Sequence, residues 1–95
     1  MIVRIVKMSF KQEHINLFIS IFEESKHKIE VMEGNLHVEL LQDKKEINTF
    51  FTYSHSKGEE YLTQYRKSDT FTKIWPKTKA LFLKDAAVWT TEIKG

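Results

Sequence analysis

Apolar residues in this chain recur with two different periods, and the order in which those periods follow one another narrows the available folds more than any other feature. From Ile2 to Met8 the residues are β-branched and alternate loosely, with Ile2, Arg4, Val6 and Met8 on one face and Val3, Ile5 and Lys7 on the other. That is the period-2 pattern of a strand. Ser9-Phe10-Lys11-Gln12 has the S-x-x-Q form of a capping box, which predicts that a helix opens there. Ile15, Phe18, Ile19, Phe22 and Ile29 then recur at helical spacing, with Asn16, Ser20, Glu23, Glu24 and Lys28 opposite them, and Gly34 is a good stop.

Alternation returns from Asn35 to Gln42, where Leu36, Val38 and Leu40 oppose His37, Glu39 and Leu41. The charged Asp43-Lys44-Lys45-Glu46 reads as a turn, and Ile47 to His55, rich in Phe, Thr and Tyr, as the second arm of a hairpin. Ser56-Lys57-Gly58-Glu59 is an S-x-x-E capping box that predicts a short helix carrying Tyr61, Leu62 and Tyr65 on its apolar side. Ser68-Asp69 can cap a further helix, in which Pro76 predicts a kink or local break. A last strand is expected from Ala87 to Ile93. Strand, helix, strand, strand, helix, strand is the split βαβ order, so the fold expected is α+β, a ferredoxin-like βαββαβ with an antiparallel sheet, in one domain spanning residues 1–95.

Two helices can cover only one face of such a sheet, yet both faces of the hairpin carry apolar residues. A chain of 95 residues buries only roughly two-thirds of its unfolded surface, and small domains make up the deficit with disulfides, a metal or a partner. The chain contains no Cys, which excludes disulfides. A homodimer closed across the uncovered sheet face is therefore expected.

Several function classes find no support. Lys and Glu are interleaved, and the net charge is only +2, without the basic stripe of a nucleic-acid binder. The opening Met1–Lys7 run is too short and too charged for a signal peptide or a membrane span, and no later segment is apolar enough to cross a bilayer. With zero Cys, the expected location is cytoplasmic. Three scattered Gly cannot build a phosphate-binding loop, and there is no G-x-S-x-G. His14 and His27 lie thirteen residues apart on one helix, too far to share an ion, so no metal site is expected. His37 and His55 lie on paired strands, and their relation depends on register. If Asp43 pairs with Glu46, His37 sits across from Thr52 and His55 falls on the opposite face; a one-residue slip puts both on one face, several residues apart.

What remains is a set of aromatic residues with polar handles. Tyr53, Tyr65 and Trp75 each need a hydrogen-bond partner when buried. His37, Glu39 and His55 add titratable groups. Together they describe an aromatic-lined cavity with few polar groups, suited to a flat, apolar small molecule.

The chain resembles the antibiotic biosynthesis monooxygenase family, described in part as quinol monooxygenase-like. The resemblance rests on Met1–Val6, on Gly34–Asp43, on Phe50-Phe51-Thr52-Tyr53-Ser54, on Glu59-Glu60-Tyr61-Leu62 and on Arg66–Phe71, in that order and spacing. It implies a dimeric α/β barrel with a cavity between each sheet and its helices. It further implies oxidation of a phenol or quinol by O₂ as co-substrate, with no cofactor. On that basis His37 or His55 is expected as proton acceptor and Tyr53 or Tyr65 as hydrogen-bond donor, with Phe22, Phe71 and Trp75 as apolar walls. Where family members often carry Glu and Trp after the third strand's Tyr, this chain has Ser54 and Ser56; where a His commonly follows the Leu of the second helix, it has Tyr65. Those departures motivate an alternative, a non-catalytic dimer that binds a small aromatic molecule. A haem-degrading branch shares the Lys67-Ser68-Asp69-Thr70-Phe71 stretch, but its axial His falls near Trp75, and Trp does not ligate iron in that role.

Overall fold

A computed structural model describes residues 1–95. Its elements are β1 (Ile2–Phe10), a 3₁₀ turn (Gln12–His14), α1 (Ile15–Glu30), β2 (Asn35–Gln42), β3 (Thr49–Ser56), α2 (Glu59–Lys67), α3 (Asp69–Lys79) and β4 (Phe82–Glu92). The strands form one sheet in the order β2-β3-β1-β4, and every neighbouring pair is antiparallel. This is the ferredoxin-like arrangement expected from the sequence. No helix is long and apolar enough to cross a membrane.

The first expected capping box is not one. Ser9 and Phe10 continue β1, and Asn48 holds Phe10 there. The Phe10 N–H donates to the Asn48 carbonyl at 3.0 Å, and the Asn48 side-chain amide donates to the Phe10 carbonyl at 2.8 Å. Two tertiary hydrogen bonds thus outweigh a local capping preference. Phe10, completely shielded from solvent, becomes the centre of the core. Its ring stacks on Phe18 at 4.1 Å and meets Phe50 and Phe82 at 5.9 and 5.4 Å. Met8, Phe22, Ile29, Val38 and Leu81 complete the buried cluster.

The second expected box also dissolves. Ser56 is the buried last residue of β3, and its hydroxyl donates to the Gly58 carbonyl at 3.0 Å instead of capping α2. The Ser68 cap is present: its hydroxyl donates to the Tyr65 carbonyl at 2.6 Å and accepts from the Phe71 N–H at 3.2 Å. One side chain therefore joins the end of α2 to the start of α3. Of the kink or local break expected at Pro76, the break does not occur: α3 runs through it. Proline removes a single helical donor, and the Pro76 carbonyl still accepts from the Ala80 N–H at 3.1 Å. β4 begins at Phe82 rather than Ala87.

The register of the hairpin decides what each face carries. The connection runs from Asp43 to Asn48, longer than the turn expected, and His37 pairs with His55, Glu39 with Tyr53 and Leu41 with Phe51. Across β1 and β4 the same face carries Val3, Ile5 and Lys7, then Thr91, Trp89 and Ala87. The opposite face, which carries Met8, Val38 and Phe50, packs against the helices. The face bearing His37 and Trp89 has no helix on it, and Leu41 and Trp89 are exposed.

Candidate functional site

A cavity of about 160 Å³ lies between the helix-covered face of the sheet and the three helices. Its floor is the middle of β1 and β3, where Arg4 and Val6 alternate toward the helices beside Thr52 and Ser54. Phe22 comes from α1, Tyr65 from α2, and Phe71 and Trp75 from successive turns of α3. The i, i+4 spacing stacks Phe71 on Trp75, with centroids 5.7 Å apart and planes within 13°. Tyr65 packs edge-on against Phe71 at 5.2 Å, and Phe82 meets Trp75 in a T-shaped contact at 5.7 Å. Four of the residues singled out from the sequence, Phe22, Tyr65, Phe71 and Trp75, thus line one cavity.

Of the remaining residues singled out, His55 is at the cavity wall and His37, Glu39 and Tyr53 are not. Strand alternation places His37 and Tyr53 on the face away from the helices, where their rings lie 6.4 Å apart. The β3 segment at His55 borders the cavity, but the imidazole lies against Tyr53 at 5.1 Å and His37 at 5.7 Å, on the far side of the sheet. Its Nε2 is buried without a hydrogen-bond partner. His37 Nε2 sits 3.5 Å from the Glu39 carboxylate. The register is neither of the two weighed: His37 pairs directly with His55, a shift of three residues from Thr52 rather than one, so the two imidazoles share a face, the one turned away from this cavity. No group of three His, Asp or Glu side chains is arranged to hold a metal ion.

Sequence reasoning missed Arg4. It looked like one polar residue in a strand, although its alternation with Ile2, Val6 and Met8 already put it on the core face. Within the cavity, Arg4 Nε is buried without a partner. Burial, the nearby Arg66 guanidinium and, in the opposite sense, Tyr65 act on it, with the net effect of lowering its pKa. Tyr65 is pushed above its ordinary value by burial, against the pull of Arg4. The phenol therefore stays protonated at neutral pH and able to donate. Glu33 is the one carboxylate on the cavity wall. The arrangement is an aromatic slot with a cation at its floor and a phenol donor on its helical wall, which can hold a flat ring and present hydrogen-bond donors to an oxygen on it.

The sequence model described as antibiotic biosynthesis monooxygenase matches residues 1–76. No curated protein matches the chain. Among solved structures, an antibiotic biosynthesis monooxygenase superposes with a TM-score of 0.94 at 20% identity, covering 100% of both chains. A conserved protein from Methanosarcina mazei Go1 gives 0.93 at 21% identity, covering 98% of this chain and 93% of its own. A Mycobacterium tuberculosis protein gives 0.92 at 10% identity, covering 99% and 95%. At these identities the structures speak for the fold. The family model, which spans four-fifths of the sequence, decides membership: this chain belongs to the antibiotic biosynthesis monooxygenase family.

Proposed function

We propose that the protein is a monooxygenase that oxidises a small phenol or quinol with O₂ in the cavity between sheet and helices. One observation carries the reading: the stacked Phe71–Trp75 wall and the Tyr65 phenol enclose the same space as Arg4. A cavity of about 150 Å³ is enough for one benzene ring, so the 160 Å³ here favours a single-ring substrate. The wall excludes water, and the ring is held flat while Tyr65 donates to its oxygen.

The balance of the reaction calls on nothing outside substrate and O₂. A phenol taken to a quinone loses two hydrogens and gains one oxygen, and the second oxygen leaves as water. All four electrons accepted by O₂ come from the ring. The residues then need only to bind the substrate, favour its anion and exclude water.

The uncovered sheet face supports a second copy of the chain as partner. Leu41, Phe51, Tyr53, Ile5 and Trp89 share that face, and burying them against the same face of a twin gives an apolar core between two sheets.

Oxygen consumption with a panel of single-ring phenols and hydroquinones, measured with an oxygen electrode, tests the reading. Uptake dependent on both protein and phenol is expected; none with any member of the panel, together with retained binding, leaves the alternative of a small-aromatic-binding protein. That alternative draws on one feature, that no imidazole opens into the cavity.

A further inference from the structure

Arg4 is the one arginine or lysine on the cavity wall. It sits in the middle of β1, facing the helices, with Ser54 and Thr90 as its cross-strand neighbours. Neither supplies a counter-charge. The ion pairs of the protein are His37–Glu39 and Lys94–Glu92, so no carboxylate lies within pairing distance of the guanidinium. Arg4 Nε is shut off from water and unpartnered. The charged group that acts on it is Arg66, which is of the same sign; Glu33, the carboxylate on the cavity wall, forms no ion pair with it. A half-buried cation left without a counter-ion is destabilising by itself, because desolvation is not offset by an ion pair. Here that cation opens into an aromatic cavity sized for one ring, and guanidinium is the side chain best suited to bind an anionic oxygen at two points.

We infer that the cavity binds a single-ring aromatic in its ionised form, with the Arg4 guanidinium as the counter-charge to the phenolate oxygen. The inference rests on the reading of this cavity as the substrate site. It supplies what the displaced imidazoles do not. With no strong base inside, ionisation is favoured electrostatically: the cation stabilises the phenolate, the Tyr65 hydroxyl donates to it, and the proton leaves toward solvent past Glu33. Arg66 adds a second positive charge at the same end. The phenolate so formed is the electron-rich species from which O₂ can be reduced.

The probe is p-nitrophenol, whose ionisation is read from its visible absorbance in the presence of excess protein. Bound to the wild-type protein, it is expected to ionise at least about one pH unit below its value in water, the usual effect of an adjacent opposite charge. Arg4→Met is expected to abolish that shift and weaken binding of the ionised probe about tenfold or more, while Arg4→Lys retains part of both. An unshifted or raised titration overturns the inference, as does no binding to the wild-type protein or a lowered titration that survives in Arg4→Met. If Arg4→Met does not fold, benzoate and benzamide decide on the wild-type protein. Benzoate binding about tenfold tighter supports the counter-charge, and equal affinities overturn it. Oxygen uptake on the same preparation separates this from the oxygenase reading. A lowered titration without uptake retains Arg4 and removes the oxygenase; uptake with an unshifted titration does the reverse.

Discussion

His37 and His55 are direct partners across the β2–β3 ladder, with ring centroids 5.7 Å apart and planes at 78°, on the face of the sheet turned away from the aromatic cavity. A group that takes the substrate's proton must reach it, and the sheet stands between these rings and the cavity. The double variant His37→Ala/His55→Ala is therefore expected to keep ligand affinity and turnover within about threefold. Steady-state oxygen uptake checks this. Loss of the roughly hundredfold or more that a general base contributes would return proton transfer to the imidazoles.

Trp89 lies on the same open face as this pair, opposite Ile5, and is 48% exposed. Trp89→Glu places a charge within the proposed sheet-on-sheet contact, where it must be desolvated on association. Sedimentation equilibrium is expected to show a dimer for the wild-type chain and a monomer for the variant. A variant that sediments as the wild type does places the partner surface elsewhere.

Gly34 connects α1 to β2 with φ of +83°, and a Cβ there would overlap the Tyr61 ring. Gly34→Ala thus combines left-handed backbone strain with a clash at the cavity's end. The expected loss is about 1–3 kcal/mol from the backbone alone. Chemical denaturation measures it; a loss confined to about 1–3 kcal/mol means that Tyr61 moves aside, and an unchanged midpoint overturns the prediction.

Asp43 accepts the N–H groups of Glu46 at 2.7 Å and Lys45 at 3.0 Å, and these bonds hold its carboxyl below the ordinary value of 3.8. A depressed carboxylate stabilises the fold above its unfolded pKa, and that contribution is lost as pH falls through the folded value. Asp43→Asn retains an oxygen acceptor for the turn but does not titrate. The variant's thermal midpoint is expected to fall less steeply than that of the wild type as pH drops through the carboxylate range. Parallel curves for the two proteins rule this turn out as a source of acid sensitivity.

The periodicities of the sequence by themselves determined the element order, the antiparallel ferredoxin-like sheet and the aromatic faces of α2 and α3. Alternation at 2 and recurrence at 3.6 are local properties that survive folding. They also brought Phe22, Tyr65, Phe71 and Trp75 to the right side of the sheet. Tertiary structure alone decided the rest. Ser9 and Ser56 have the spacing of caps, yet Phe10 was drawn into β1 by Asn48, a residue thirty-eight positions away, and no local pattern records such a partner. The hairpin register depended on a connection running to Asn48, and an odd shift in pairing carries every side chain to the opposite face. That is why His37, Tyr53 and the His55 ring sit behind the cavity they were expected to line. Arg4 was visible as a charge on an apolar strand face, but its lack of a partner is a property of three-dimensional surroundings. The sequence determined that an aromatic cavity forms; the packed sheet decided that a cation stands in it where an imidazole was expected.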